Sequence, residues 1–304
     1  MIIGRGKTRL SQLLSEAQLP GLPQSAVRII ELTRRPGVGP AELAVPIEAD
    51  PGLTGQVLRF VNSSYFGFRH QVASVKSAIS LVGVRTVKNF ALWSAVFSLI
   101  PDPKCGAFDL KGLWQDSLRR GIFARALGKI LGLADADDLF AASLLQDMAI
   151  PLLAKAMPAD YLRLLESRMA GARRLSDLER EEFAWTHAEA GGRIARHWRL
   201  PESIANRIQS HIGEAKLPIR AIEDVATATV VLSSYLPSTR DSCWADEATF
   251  RQGFQAVADP QGPSLASVFE EVDREFSRFA PFLNLPSPGK GLCDLLEETA
   301  VSAI

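Results

Sequence analysis

The sequence predicts an all-α fold, an N-terminal helical bundle packed on a second helical bundle. Three observations carry this. Apolar residues recur at helical spacing through most of the chain, and no run alternates apolar with polar residues in the manner of a strand. The periodic segments open at recognisable caps and close at Pro or Gly punctuation. With 304 residues, 47% of them apolar and 22% charged, the chain can bury a sizeable core, which argues against wholesale disorder.

The elements follow in order. Residues 23–35 turn Val27, Ile30 and Leu32 inward and stop before Pro36-Gly37. Asp50 is an N-cap and Pro51 suits the first helical position, where its missing N–H costs nothing. Behind them Leu53, Val57, Phe60 and Val61 fall at i, i+4, i+7 and i+8, one face of a helix. Ser74 caps a helix carrying Val75, Ile79 and Val82. Gly83 punctuates it, and a longer apolar helix runs on to Ile100. Pro101-Asp102-Pro103 breaks the pattern. Long helices are predicted over residues 110–131, 137–156 and 158–170, and shorter ones over 176–184, 187–198, 201–212 and 219–236. Residues 238–244 read as a loop. Weaker helices follow over 246–257 and 265–279, and NLPSPGKG, residues 284–291, reads as a turn or linker. The units expected are an N-terminal lobe (1–104), a second lobe (105–237) and a tail (238–304).

Charge narrows the function. Lys plus Arg and Asp plus Glu each total 34, so the basic excess of a nucleic-acid binder is missing. The clusters Arg34-Arg35, Arg119-Arg120 and Arg173-Arg174 read as solvated helix faces. Cys105, Cys243 and Cys293 lack CxxC spacing, so Cys105 reads as a free thiol. MIIGRGKTRL has no leader-like apolar stretch, and apolar segments such as residues 90–100 fall short of a bilayer. The expectation is a cytoplasmic protein without membrane contact. No GxSxG, P-loop or GxGxxG is present.

Three stretches carry a family likeness: LPGLPQSAVRIIEL (19–32), EADPGLTGQVLRFVNSSYFG (48–67) and VKSAISLVGVRTVKNFAL (75–92). Through them the chain resembles the HDOD family, more loosely as far as about residue 236. The resemblance implies an all-helical fold related to the HD superfamily of metal-dependent phosphohydrolases. It also implies a role in bacterial signalling, with the metal-binding His-Asp pair generally lost.

Carried over position by position, the resemblance puts Asp116 where the superfamily has a His. It puts Gln146-Asp147 at the His-Asp pair, His187 and His211 at the later histidines, and Ser234 at the final Asp. Asp147, His187 and His211 are thus the ligands if any ion is held, and an amide at Gln146 is a poor replacement for imidazole. Helical faces turn all three inward: His187 with Gly191, Ile194 and Trp198, His211 with Ile204 and Ile208, Asp147 behind Phe140, Ser143 and Leu144. Thr186 and Glu189 form a capping-box pair that sets His187 in a first turn. His70 and His197, with polar neighbours, read as exposed.

The expectation is a hydrogen-bonded relic with no catalytic residue and no cofactor, in a regulatory module that acts by contact with another signalling protein. The alternatives are a metal-dependent phosphohydrolase with a reduced ligand set, or a sensor of a small nucleotide or anion. The candidate partner surface is Asn62, Tyr65, Phe66, Arg69, Arg85, Lys88 and Asn89. Tyr65 and Phe66, just before Gly67, either plug a helix junction or line a groove.

Overall fold

The structure is a computed structural model. It describes residues 10–15, 19–33, 35, 37–63, 66–106, 108–168, 171–213, 222, 224–283 and 285–302. Among these residues the secondary structure is helical, with no strand. The N-terminal lobe comprises α1 (Gln24–Thr33), α2 (Pro40–Glu48), α3 (Pro51–Val61), α4 (Val75–Val82) and α5 (Val84–Leu99). The Asp50 side chain accepts from the Leu53 N–H, and Ser74 accepts from the Ser77 N–H, so both expected caps form. Gly83 sits at φ +97, a conformation open to glycine, and this lets α5 leave α4 at once. Leu53, Val57, Phe60 and Val61 are buried together. In α1 the core residues are Ile29 and Ile30, whereas Val27, expected inward, is only half-buried.

The second lobe is built on α6 (Leu110–Ile130), followed by α7 (Ala136–Leu145), α8 (Ala149–Ala156), α9 (Pro158–Ser167), α10 (Leu175–Phe183), α11 (His187–His197), α12 (Glu202–Ser210) and α13 (Val225–Ser234). The single helix expected over residues 137–156 is broken by a turn at Gln146-Asp147-Met148. Pro151 accounts for the break. It has no N–H to offer the Asp147 carbonyl, and its ring would crowd that carbonyl in a continuous helix. The Asp147 carbonyl instead accepts from Ile150 N at 3.0 Å. The broken run Ala136–Ala156 is nonetheless apolar and long enough to cross a bilayer by length and composition, contrary to the expectation that the most apolar segments fall short. Here 89% of its window is buried inside the protein.

The remaining helices are α14 (Glu247–Val257), α15 (Leu265–Phe279), a 3₁₀ turn (Ala280–Leu283) and α16 (Leu292–Ser302). They are not a loose tail. Phe250 and Phe269 are fully buried, with ring centroids 5.5 and 6.2 Å from Phe123 of α6. Glu275 of α15 accepts from Arg125 of α6 at 2.7 Å. Phe279 lies 5.5 Å from Phe60 of the first lobe and 6.3 Å from Phe140 of the second.

Candidate functional site

A polar pocket forms where α11 and α12 meet the α7–α8 turn. The Thr186–Glu189 capping box closes the start of α11 and fixes His187 in its first turn. His211 stands at the end of α12. A Cβ on Gly191 would come within 2.9 Å of Ile208, so glycine there permits the close approach of α11 to α12. That approach brings the two imidazole centroids to 5.1 Å. The α7–α8 turn delivers Asp147, whose Oδ1 lies 3.4 Å from Nε2 of each histidine. The ligand atoms of Asp147, His187 and His211 all fall within 4.8 Å of one another.

Hydrogen bonds define the protonation. His211 Nδ1 donates to the Ile208 carbonyl at 2.6 Å. His187 Nδ1 donates to Glu179 Oε2 at 2.6 Å, which also accepts the His187 backbone N–H at 2.8 Å. Tyr161 donates to the other Glu179 oxygen at 2.6 Å. The two Nε2 atoms are 3.2 Å apart, so one must carry a proton for the other to accept. Burial works against charge on His187, but Glu179 and Asp147 outweigh it and raise its pKa to about 9. Burial, reinforced by the charge on His187, lowers His211. The apo pair is therefore an imidazolium at His187 donating to a neutral His211. Burial would raise Asp147, yet the Arg120 guanidinium and the His187 imidazolium hold its carboxyl well below the ordinary range.

Arg120 is the residue that sequence reasoning missed most plainly. Its guanidinium binds Asp147 Oδ2 directly. Arg119-Arg120 is thus no solvated face: Arg119 is 1% exposed and donates to the Lys290 carbonyl at 2.9 Å. Arg120 lies four residues after Asp116 and three before Phe123 on α6, and that spacing is the signal that could have placed it inward. Glu179 was missed too. It shares a face with Ser176 and Phe183, both buried, amid the acidic text of α10.

The other expected positions scatter around this centre. Asp116, its pKa raised by burial, accepts from Ser238 Oγ at 2.5 Å and Thr239 N at 2.7 Å. Gln146 is fully buried, with no partner for its amide nitrogen among the described residues. Ser234 accepts from Arg174 at 3.2 Å. Asp116, Asp147, His187, His211 and Ser234 line a cavity of about 380 Å³, with Arg174 stacked 4.3 Å over Tyr235. These residues do not fit a two-metal centre, since Asp116 faces the 238–239 loop and Gln146 offers an amide. For a single ion there are three donors, one of them already bound by Arg120.

The candidate partner surface is corrected in part. Asn89 is buried, donating to the Asp137 carbonyl at 2.8 Å and to Asp138 at 3.0 Å. Lys88 is half-buried beside Asp138 at 3.8 Å. Asn62 ties the end of α3 to Val72, accepting from its N–H at 2.7 Å and donating to its carbonyl at 2.8 Å. Phe66 packs edge-on against Phe60 at 5.1 Å, the plug of the two readings. Arg69 and Arg85 are exposed, though Arg85 donates to the Ala134 carbonyl at 2.5 Å. Tyr65 lies outside the described residues. Cys105 is buried and donates to the Pro158 carbonyl. His70 and His197 are exposed.

Known proteins agree with this architecture. A protein from Shewanella amazonensis, provisionally named a phosphohydrolase, superposes with a TM-score of 0.68 at 19% identity, covering 90% of this chain and 98% of its own. An HDOD domain protein of unknown function from Geobacter sulfurreducens gives 0.64 at 19% identity over 98% and 94%. A protein from Marinobacter aquaeolei, provisionally named for signal transduction, gives 0.65 at 20% identity over 93% and 64%. An uncharacterised Treponema pallidum protein is 28% identical over 198 residues, spanning 64% of this chain and 37% of that relative. The model of the HDOD domain matches residues 19–213, most of the chain, and on that match the chain belongs to the HDOD family.

Proposed function

We propose that this chain is a non-catalytic regulatory module of the cytoplasm that acts by contact with a signalling partner. The observation that carries the reading is the Arg120–Asp147 pair. A fixed guanidinium engages the carboxylate that a hydrolytic metal would need, and Gln146 stands where the histidine of a His-Asp pair would be. The test is turnover of bis-p-nitrophenyl phosphate and of cyclic dinucleotides with Mn²⁺, Mg²⁺ or Zn²⁺. The expected result is no rate above the metal blank. A metal-dependent rate that vanishes in Asp147→Ala overturns the reading.

One observation favours the second reading, a phosphohydrolase with a reduced set. Both Nδ1 atoms are tied to oxygen acceptors, which is how ligating histidines are oriented. Asp147, His187 and His211 would then hold one ion, which would supply an activated water.

A further inference from the structure

A second cavity, about 270 Å³, lies where α3, α5, α6 and the 3₁₀ turn meet. It shares no lining residue with the histidine pocket. Its walls are aromatic. Trp93 and Phe97 of α5 have ring centroids 4.3 Å apart, Phe97 and Trp114 of α6 are 3.7 Å apart, and Phe90 continues the row 5.6 Å from Trp93. Leu283 closes one side. Among the described lining residues the single charge is Arg59, and there is no carboxylate.

Arg59 is exposed and has neither an ion-pair nor a hydrogen-bond partner among the described residues. It stands in the last turn of α3, where a cation gains from the helix dipole, and its N–H donors meet no acceptor among the described residues. Trp93 is 5% exposed and its indole N–H likewise has no acceptor among the described residues. A ring-lined cavity with one unopposed guanidinium at its rim is complementary to a flat apolar body carrying an anion, because guanidinium pairs with oxyanions through two parallel N–H donors.

We infer that this junction cavity is a binding site for a small aromatic acid, its ring stacked among Trp93, Phe97 and Trp114 and its acid group paired with Arg59. The site is separate from the histidine pocket, so its failure leaves the non-catalytic reading untouched, and turnover at that pocket would leave this site untouched.

Phenylacetate is the test probe and the uncharged phenylacetamide its control. Binding is read by titration calorimetry and by tryptophan fluorescence, since Trp93 and Trp114 form the wall. The full chain should bind phenylacetate at least about tenfold more tightly than the amide. Arg59→Met keeps the aliphatic stem of an exposed side chain. It should melt as wild type does, lose the preference for the acid, and bind both probes equally weakly. Three results overturn the inference: no heat or fluorescence change with phenylacetate up to millimolar concentration, equal binding of acid and amide by wild type, or an unchanged preference in Arg59→Met. A short peptide carrying Phe beside Glu that binds more tightly than phenylacetate would also overturn it, and would assign the cavity to a protein partner.

Discussion

At the scale of single residues, the pocket couples stability to pH with two opposite signs. His187 has a folded pKa of about 9 against 6.5 unperturbed, so the stability it contributes is complete below 6.5 and is lost as pH rises through about 9. His211 is lowered, so its contribution is present above 6.5 and is lost on acidification. Asp147 is lowered as well, and its contribution is lost only in stronger acid, below the ordinary 3.8. Metal-free protein should therefore melt highest between these limits, with its melting temperature falling toward pH 10. Glu179→Gln should flatten that alkaline fall, because an amide cannot favour the imidazolium. An unchanged alkaline slope would show that Glu179 does not set the charge on His187. The inward direction of the two histidines and Asp147 was legible from helix faces, and their convergence from the family resemblance. Their partners were less so: Arg120 comes from another helix, where its spacing from Asp116 and Phe123 is the single hint of an inward face, and Glu179 is masked by the charged text of its own helix.

Single elements are governed by chemistry that the sequence carries locally, and this part was the most legible. Asp50, Ser74 and Thr186 cap their helices as their positions required. Asp50 also accepts from Ser25 Oγ at 2.9 Å, so it ties α1 to the start of α3. Asp50→Ala should cost about 1–2 kcal/mol in denaturant unfolding, the upper part of the range for caps. A loss of a few tenths would mean that solvent replaces both bonds. Gly191→Ala adds a methyl group 2.9 Å from Ile208 and should cost about 1–3 kcal/mol through overpacking. It should also perturb the ring signals of His187 and His211 in NMR spectra, because the α11–α12 spacing sets their separation. The break between α7 and α8 was less legible. Apolar periodicity runs through it unbroken, and Pro151, which causes it, lies four residues downstream of the carbonyl it displaces.

Over the whole molecule, the C-terminal segment from residue 238 onward is structural rather than appended. Its helices looked weak in the sequence because charged residues dilute their apolar positions, yet α15 concentrates its apolar residues on one face: Val268, Phe269, Val272, Phe276 and Phe279 are all buried. Phe250→Ala should cost about 3–5 kcal/mol and lower a single cooperative transition. A separate early transition, with the rest of the chain melting as before, would show that the tail folds on its own.

The position of Phe279 against both Phe60 and Phe140 has a consequence for biosynthesis. The aromatic face of α3 is made early and its cover is made late. At roughly 5–20 residues per second, that face waits on the order of ten seconds or more on the ribosome before α15 emerges to cover it. During that interval the side of Phe60 that Phe279 covers is exposed apolar surface. Nascent chains arrested before α15 clears the ribosome should be held by chaperones that bind apolar surface, and chains arrested after it has cleared should be released.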